Sequence, residues 1–536
     1  MPELKRFYVT RKERLIRVAM GMVVIVFLGL VARFYLPGKG MSSLILFGGN
    51  FAQRYIPEIK KLDHYSEPET YGYDAQWYVQ IAVRPDLRSP EIRTAVDNLP
   101  YRARRILFCW TAYLLGLGKP GWIVQIYALQ NVVCWLGLAW IMLRWFPANS
   151  YQNLFRWTAV LLSFGLCASV RLSLVDGPSC LLVACGVALF EAGRPWWSAL
   201  VLGIGGLGKE TAILSAGVTV RPDYKTLKEW FAAAVRLGLV AAPLLLWTYY
   251  IYRVCGPLGT NTGSDAIDAP FVALFQKIQT TIEELQRGGK EAEYARGTVY
   301  ALIALLTQFL FFVLRPRPSQ PWWRVSIGYC VLMACLGWAV WEGVPGAASR
   351  VLLPMTLAFN VLVPRGRGWI LVLLLGNASV LTSFDLTRPP EDEGYRLTAM
   401  DEIKKTDIAV NFESGWYPAE RSQWEHWRWA EKRAVINIYN STDKPILLDV
   451  QFQVSSLAPR TVSFGRDETQ RWSDSVGKTR KPVRIENLVI EPGNNQFWWQ
   501  TDREGDPSAN PADVRKLAFR IFGLEFRARP STVPAQ

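Results

Sequence analysis

The stretch Tyr-Gly-Tyr-Asp-Ala-Gln-Trp-Tyr-Val-Gln-Ile-Ala, residues Tyr71–Ala82, sets one carboxylate, Asp74, among four aromatic rings. It follows the first long apolar run, which ends at Leu36, by about one loop. A carboxylate beside a membrane and among rings is partly desolvated, which makes it a better base than an exposed Asp. An interfacial aromatic belt with a solvated Asp has the same pattern. The rest of the chain has to choose between the two.

The chain has 536 residues, half of them apolar, with 23 Trp, which is a membrane protein's composition. A basic start (Lys5, Arg6, Arg11, Lys12, Arg14, Arg17) precedes about twenty apolar residues with no small-x-small cleavage site. It reads as a retained first span with its N-terminus in the cytoplasm. Further candidate spans lie near 121–143, 155–171, 176–190, 196–208, 211–221, 230–253, 298–314, 323–341, 350–363 and 367–384, about eleven in all. The predicted fold is a polytopic α-helical membrane module, 1–385, followed by an all-β sandwich, 386–536. Residues 37–103 and 255–297 form its first and second outer loops.

Two threadings compete. In one, 104–118 lies on the outer face or re-enters and 196–221 is a hairpin, so Asp176 and Lys209-Glu210 share a face with Asp74. In the other, 104–118 spans, 196–221 is one helix, and those residues lie on the opposite face. The positive-inside bias favours the first, because it keeps Arg144, Arg156 and Arg194 inside. Both leave the C-terminal domain outside.

Residues 386–536 carry 22 basic and 22 acidic residues, so the whole net charge of +15 belongs to the membrane part. Its basic residues sit in short loops, which reads as membrane topology and not nucleic-acid binding. All eight Cys lie between Cys109 and Cys335, and there are two His. A disulfide framework in the C-terminal domain, a His triad and a zinc-type His cluster are therefore not expected. The C-terminal part alternates in period two over Arg433–Tyr439, Ile446–Val454, Arg460–Phe464, Val483–Ile490, Asn495–Gln500 and Leu517–Phe526, an antiparallel sandwich pattern.

Tyr73–Ala82 resembles the Trp-Asp-x-x-Trp/Phe-Tyr-x-x-Ile-Ala signature of GT-C membrane glycosyltransferases. It is most similar to the second-mannose transferases of glycosylphosphatidylinositol synthesis and to bacterial relatives with a Gly-Tyr-Asp-Gly-Gln-Phe-Tyr loop. Ala75 stands where those bacterial proteins often have Gly. Pro-Tyr-Arg-Ala-Arg-Arg-Ile-Leu (Pro100–Leu107) resembles the segment that follows the Asp loop, and Leu-Gly-Lys-Glu-Thr (Leu207–Thr211) resembles one at the tip of a middle span. The resemblance implies that Asp74 is the base on an acceptor hydroxyl and that the donor is a sugar, such as mannose, on a polyprenyl phosphate.

A lipid-phosphate sugar brings its own anionic leaving group. One carboxylate then suffices where glycoside hydrolases use two, and in-line attack inverts the anomeric centre. The departing phosphate needs fixed cations. Arg102, Arg105, Lys209 and Arg350 are the candidates, with membrane-surface anchoring as the alternative for the arginines. Tyr73, Gln76, Tyr78, Asp176 and Glu210 are candidates for acceptor contact or site shape. Asp176 could equally cap the helix that Gly177-Pro178 begins. A metal ion would want more oxygen ligands than the pattern places, so no cofactor is expected. Trp416, Trp427 and Trp429 are candidate glycan-stacking rings or sandwich core. The Gly-Trp-Tyr…Trp-Arg-Trp pattern resembles segments of outer domains attached to polysaccharide enzymes.

The expected partners are a polyprenyl-phosphate sugar, a glycan or glycolipid acceptor and the lipid bilayer, with no nucleic acid. The bacterial inner membrane is the expected location. Rival readings are a flippase or transporter of lipid-linked glycans, a polymerase or ligase using lipid-diphosphate donors, and a non-catalytic glycan-binding subunit. A transporter would string its charges through the bilayer; a transferase would gather them at one face.

Overall fold

The first helix, Arg11–Ala32, starts where Thr10 and Glu13 form a capping box: Thr10 Oγ1 accepts from Glu13 N at 3.2 Å and Glu13 Oε2 accepts from Thr10 N at 3.0 Å. Leu15, Val18, Met22, Ile25 and Val26 project outward from it, as a lipid-facing helix requires. A second capping box, Thr226 with Glu229, starts the longest helix, Leu227–Cys255. The computed structural model describes residues 10–36, 39–67, 70–256, 266–389, 395–399, 403, 407–421, 426–507 and 515–530. Lys5, Arg6, part of the second outer loop (257–265) and Trp424 lie outside the described residues.

The chain divides into two compact units, Met1–Pro390 and Glu391–Gln536. In the first, four helices among the described residues are long and apolar enough to cross a membrane: Arg11–Ala32, Pro120–Arg144, Leu227–Cys255 and Glu291–Leu314. The total reaches six if the bent pairs Tyr151–Leu161 with Phe164–Arg171 and Arg367–Leu375 with Ala378–Thr387 each count as one span. The expected count of about eleven is therefore not confirmed by helix length. Apolar runs alone could not reveal where helices break. Asp176–Glu191, Pro195–Gly208, Pro321–Cys335 and Leu353–Leu362 are helices of 10 to 16 residues. At 1.5 Å per residue they are shorter than the roughly 30 Å hydrocarbon layer.

The ambiguous segments resolve locally. Leu107–Leu115 is a nine-residue helix that turns back through Gly116–Lys119 into the Pro120 helix, so it does not cross alone. Lys209 is extended at φ −157° and ψ 128°, which ends the Pro195–Gly208 helix. A Cβ at Gly206 would lie 3.3 Å from Ile213, a contact that residues two turns apart in one helix never make. The segment 196–221 is therefore a folded-back pair and not one long helix. The described part of the segment expected as the second outer loop is largely helical, with Val272–Arg287 leading into Gly289–Leu314.

The second unit is a pair of sheets. One runs Thr469–Val476, Arg460–Arg466, Gly493–Thr501, Arg433–Asn440, Ile408–Phe412 in spatial order; the other runs Lys481–Ile490, Ile446–Ser455, Phe519–Pro530, His426–Ala430, Trp416–Arg421. Tyr395–Ala399 pairs in parallel with Phe519–Pro530. Alternation decides the core: Ala434, Ile436 and Ile438 point inward from one strand and meet Leu448, Val450, Phe452 and Trp499. The strands from Tyr395 to Ala430, and Thr469–Val476, were not legible as alternating runs.

Candidate functional site

Asp74 immediately precedes the Ala75–Val83 helix, yet its carboxylate makes no cap hydrogen bond. It stands 34% exposed with Oδ2 3.1 Å from Arg102 Nη1. Gln76 fixes the loop around it. Its Oε1 accepts from Gly48 N at 3.1 Å and from the Tyr55 hydroxyl at 2.8 Å, and its Nε2 donates to Tyr71 O at 2.7 Å. Gln80, one turn later, accepts from Ile56 N at 3.0 Å and donates to Gln76 O at 3.2 Å. Gly72 closes the loop at φ +67°, where a Cβ would meet Gly48 N at 2.5 Å. Gln76 thus ties together the loop that carries Asp74.

Arg102 and Arg105 come from the short Leu99–Ala103 helix and the turn after it. Trp247 of the longest span braces this segment by donating to Ala103 O at 2.7 Å. Asp97 accepts from Arg102 Nε at 3.0 Å and Nη2 at 2.7 Å. Arg105 forms the same two-pronged pair with Glu210, at 2.9 and 2.7 Å, and donates to the hydroxyls of Tyr78 at 2.6 Å and Tyr101 at 3.1 Å. Tyr101 serves all three neighbouring arginines: the guanidinium carbons of Arg102, Arg104 and Arg105 lie 4.8 to 5.5 Å from its ring centre. Burial pushes the Tyr78 hydroxyl up to about 12 despite Arg105 and Arg102 beside it. Burial works against the Arg102 charge as well, but Tyr78, Asp74 and Asp97 outweigh it and hold its pKa above the ordinary value.

The third part lies deeper. Asp176 opens the Asp176–Glu191 helix, but its carboxylate does not cap; one oxygen takes Lys209 Nζ and the other lies 3.4 Å from Arg350 Nη1. Arg350 Nη2 donates to the Tyr73 hydroxyl at 2.7 Å, and its guanidinium lies 5.4 Å from the Tyr73 ring centre. Gly165 permits this placement, since its missing side chain leaves room for Ser349 O, 2.2 Å from where a Cβ would stand.

Two chain adjacencies, Tyr73-Asp74 and Lys209-Glu210, join these pairs into one network of four cations and four carboxylates. The charges gather in one place. Asp176 and Lys209-Glu210 meet the Asp74 loop, the arrangement that the hairpin threading requires. Asp97, Tyr101 and Gln80 were missed as members. Asp97 is five residues from Arg102, a spacing that signals no helix-face pair. Among the described residues no group of three His, Cys, Asp or Glu is placed to hold a metal ion together.

The candidate stacking rings lie elsewhere, in the second unit. Trp429 is 5% exposed. Trp416 packs edge-on against Phe412, Trp499 and Phe519 and donates to Val435 O at 2.9 Å. Trp416 is half-buried and packs against the sandwich core, while Trp429 is buried under the Arg520 guanidinium, 4.9 Å from its ring centre. Trp427 is half-buried beside Phe522, its Nε1 donating to Glu420 at 3.1 Å.

No protein-family model and no curated protein matches the chain. Among solved structures, the arabinosyltransferase EmbB from Mycobacterium smegmatis aligns over 98% of this chain and 66% of its own, at 9% identity and a TM-score of 0.29. TmCBM61 in complex with β-1,4-galactotriose aligns over 24% of this chain and 84% of its own, at 13% identity and a TM-score of 0.14. Superpositions this loose bear on neither the fold nor the activity of this chain.

Proposed function

We propose that this protein is a membrane glycosyltransferase of GT-C type, acting on the outer face of a bacterial inner membrane. It moves a sugar, mannose in the reading from the Asp74 loop, from a polyprenyl phosphate to an acceptor hydroxyl. The observation that carries the reading is the Asp74 carboxylate, uncommitted to its own helix, partly exposed, and set beside a collected group of cations. Asp74 takes the proton of the acceptor hydroxyl as the acceptor oxygen bonds to the anomeric carbon. The anomeric carbon–phosphate oxygen bond breaks, and its electron pair leaves with the lipid phosphate. Arg102, Arg105, Lys209 and Arg350 supply the positive field for that charge. A base and cations suffice, because the leaving group is already a stabilised anion. The concentration of charge in one cluster weighs against the transporter reading.

The test is transfer by the purified full-length protein in nanodiscs, given labelled polyprenyl-phosphate mannose and a panel of glycan acceptors. Wild type should transfer the sugar or slowly hydrolyse the donor. Asp74→Asn should fold and lose at least about a hundredfold in rate, the usual scale for a general base. Equal turnover by both proteins would remove Asp74 from the mechanism. Turnover of lipid-diphosphate glycans alone would favour the polymerase or ligase reading.

A further inference from the structure

Arg102 is gripped along one edge. Asp97 takes Nε and Nη2 side by side, at 3.0 and 2.7 Å, and the rings of Tyr101 and Tyr78 lie 5.5 and 5.8 Å from its guanidinium carbon. A planar guanidinium held in this way has lost its freedom to swing. Its remaining terminal nitrogen, Nη1, faces Asp74 Oδ2 at 3.1 Å. The two partners are unequally covered: the Arg102 side chain is 12% exposed and that of Asp74 34%. The cation is the fixed member, and the carboxylate is the accessible one. An anion entering from solvent or membrane surface therefore meets Arg102 on the side that Asp74 occupies.

We propose that Asp97 is a positioning residue and that the braced Arg102 exchanges partners. Its Nη1 side engages Asp74 in the free protein and passes to the phosphate of the lipid-linked donor on binding, which releases Asp74 toward the acceptor hydroxyl. This rests on the glycosyl-transfer reading above. While Oδ2 of Asp74 faces Arg102 Nη1 at 3.1 Å, that oxygen is taken and cannot accept from an acceptor hydroxyl. Exchange moves Arg102 Nη1 onto the phosphate and leaves the Asp74 oxygen open to the acceptor hydroxyl. Asp74 thus reaches the acceptor only when a donor is in place.

The experiment is equilibrium binding of a short-chain polyprenyl phosphate, without sugar, to the full-length protein in nanodiscs. Wild type, Asp74→Asn, Asp97→Asn and the double variant are compared, with Asp74→Ser as a second charge removal should Asp74→Asn misfold. Removing the competitor should tighten binding about three- to tenfold, the scale of a partly exposed ion pair. That gain should shrink in the Asp97→Asn background, where a loose Arg102 reaches phosphate without leaving Asp74. A purely structural Asp97 would leave the gain unchanged. If wild type binds polyprenyl phosphate and Asp74→Asn binds it no more tightly, the exchange is overturned while glycosyl transfer stands. If wild type does not bind it at all, both fall.

Discussion

Replacing Asp176 by Asn removes the charge that two buried cations share. The side-chain exposures are 4% for Asp176 and 9% for both Lys209 and Arg350, so water can do little to compensate. Deleting one partner of a buried ion pair costs about 3–5 kcal/mol, because the other partner stays buried and unneutralised. Two features offset part of that cost. The Tyr73 hydroxyl still accepts from Arg350 at 2.7 Å, and Glu210 is adjacent to Lys209 in the chain. The lower end, about 3 kcal/mol, is therefore expected. For a unit of 390 residues this lowers the unfolding midpoint by roughly 4 °C. Thiol-dye unfolding in detergent reads it directly, since Cys109, Cys167, Cys180 and Cys330 are buried and free. Adding Lys209→Met to Asp176→Asn removes one surplus cation and should recover at least half the loss. A single variant within about 2 °C of wild type, or a double variant less stable than the single, would refute the idea that Asp176 acts by neutralising this pair.

Two further outcomes test local packing in each unit. Gly72→Ala places a Cβ 2.5 Å from Gly48 N at a φ of +67°. It should loosen the loop by about 2 kcal/mol or more, seen as faster hydrogen exchange across residues 46–80 and lost transfer; unchanged exchange would contradict the close approach. Trp416→Ala deletes a ring packed among Phe412, Trp499 and Phe519 and should cost the second unit about 3 kcal/mol, measured as earlier loss of its near-ultraviolet dichroism. A stable variant with lost glycan retention would support the stacking role instead.

Parts of this architecture were open to reading before any coordinates. Six strands of the second unit announce themselves because one face of a sheet is buried and the other wet, so a period of two survives in the residues. The expected boundary at 385 falls five residues before the division at Pro390. The Asp74 loop stood out because a charged residue among rings beside a membrane is chemically unusual. Trp416 and Trp429 were ambiguous for an equally physical reason: a ring that stacks on sugar and a ring that fills a core are the same residue.

What the sequence determines, then, is composition and local period: which stretches are apolar, which alternate, and which residues can carry charge or chemistry. Tertiary structure alone decides where the helices break and which charges meet. Asp176 finds Lys209 and Arg350 across 33 and 174 residues, and Arg105 finds Glu210 across 105. No local pattern records such pairs, because the cost of burying each charge is met by a partner from a different segment, and only packing chooses that partner.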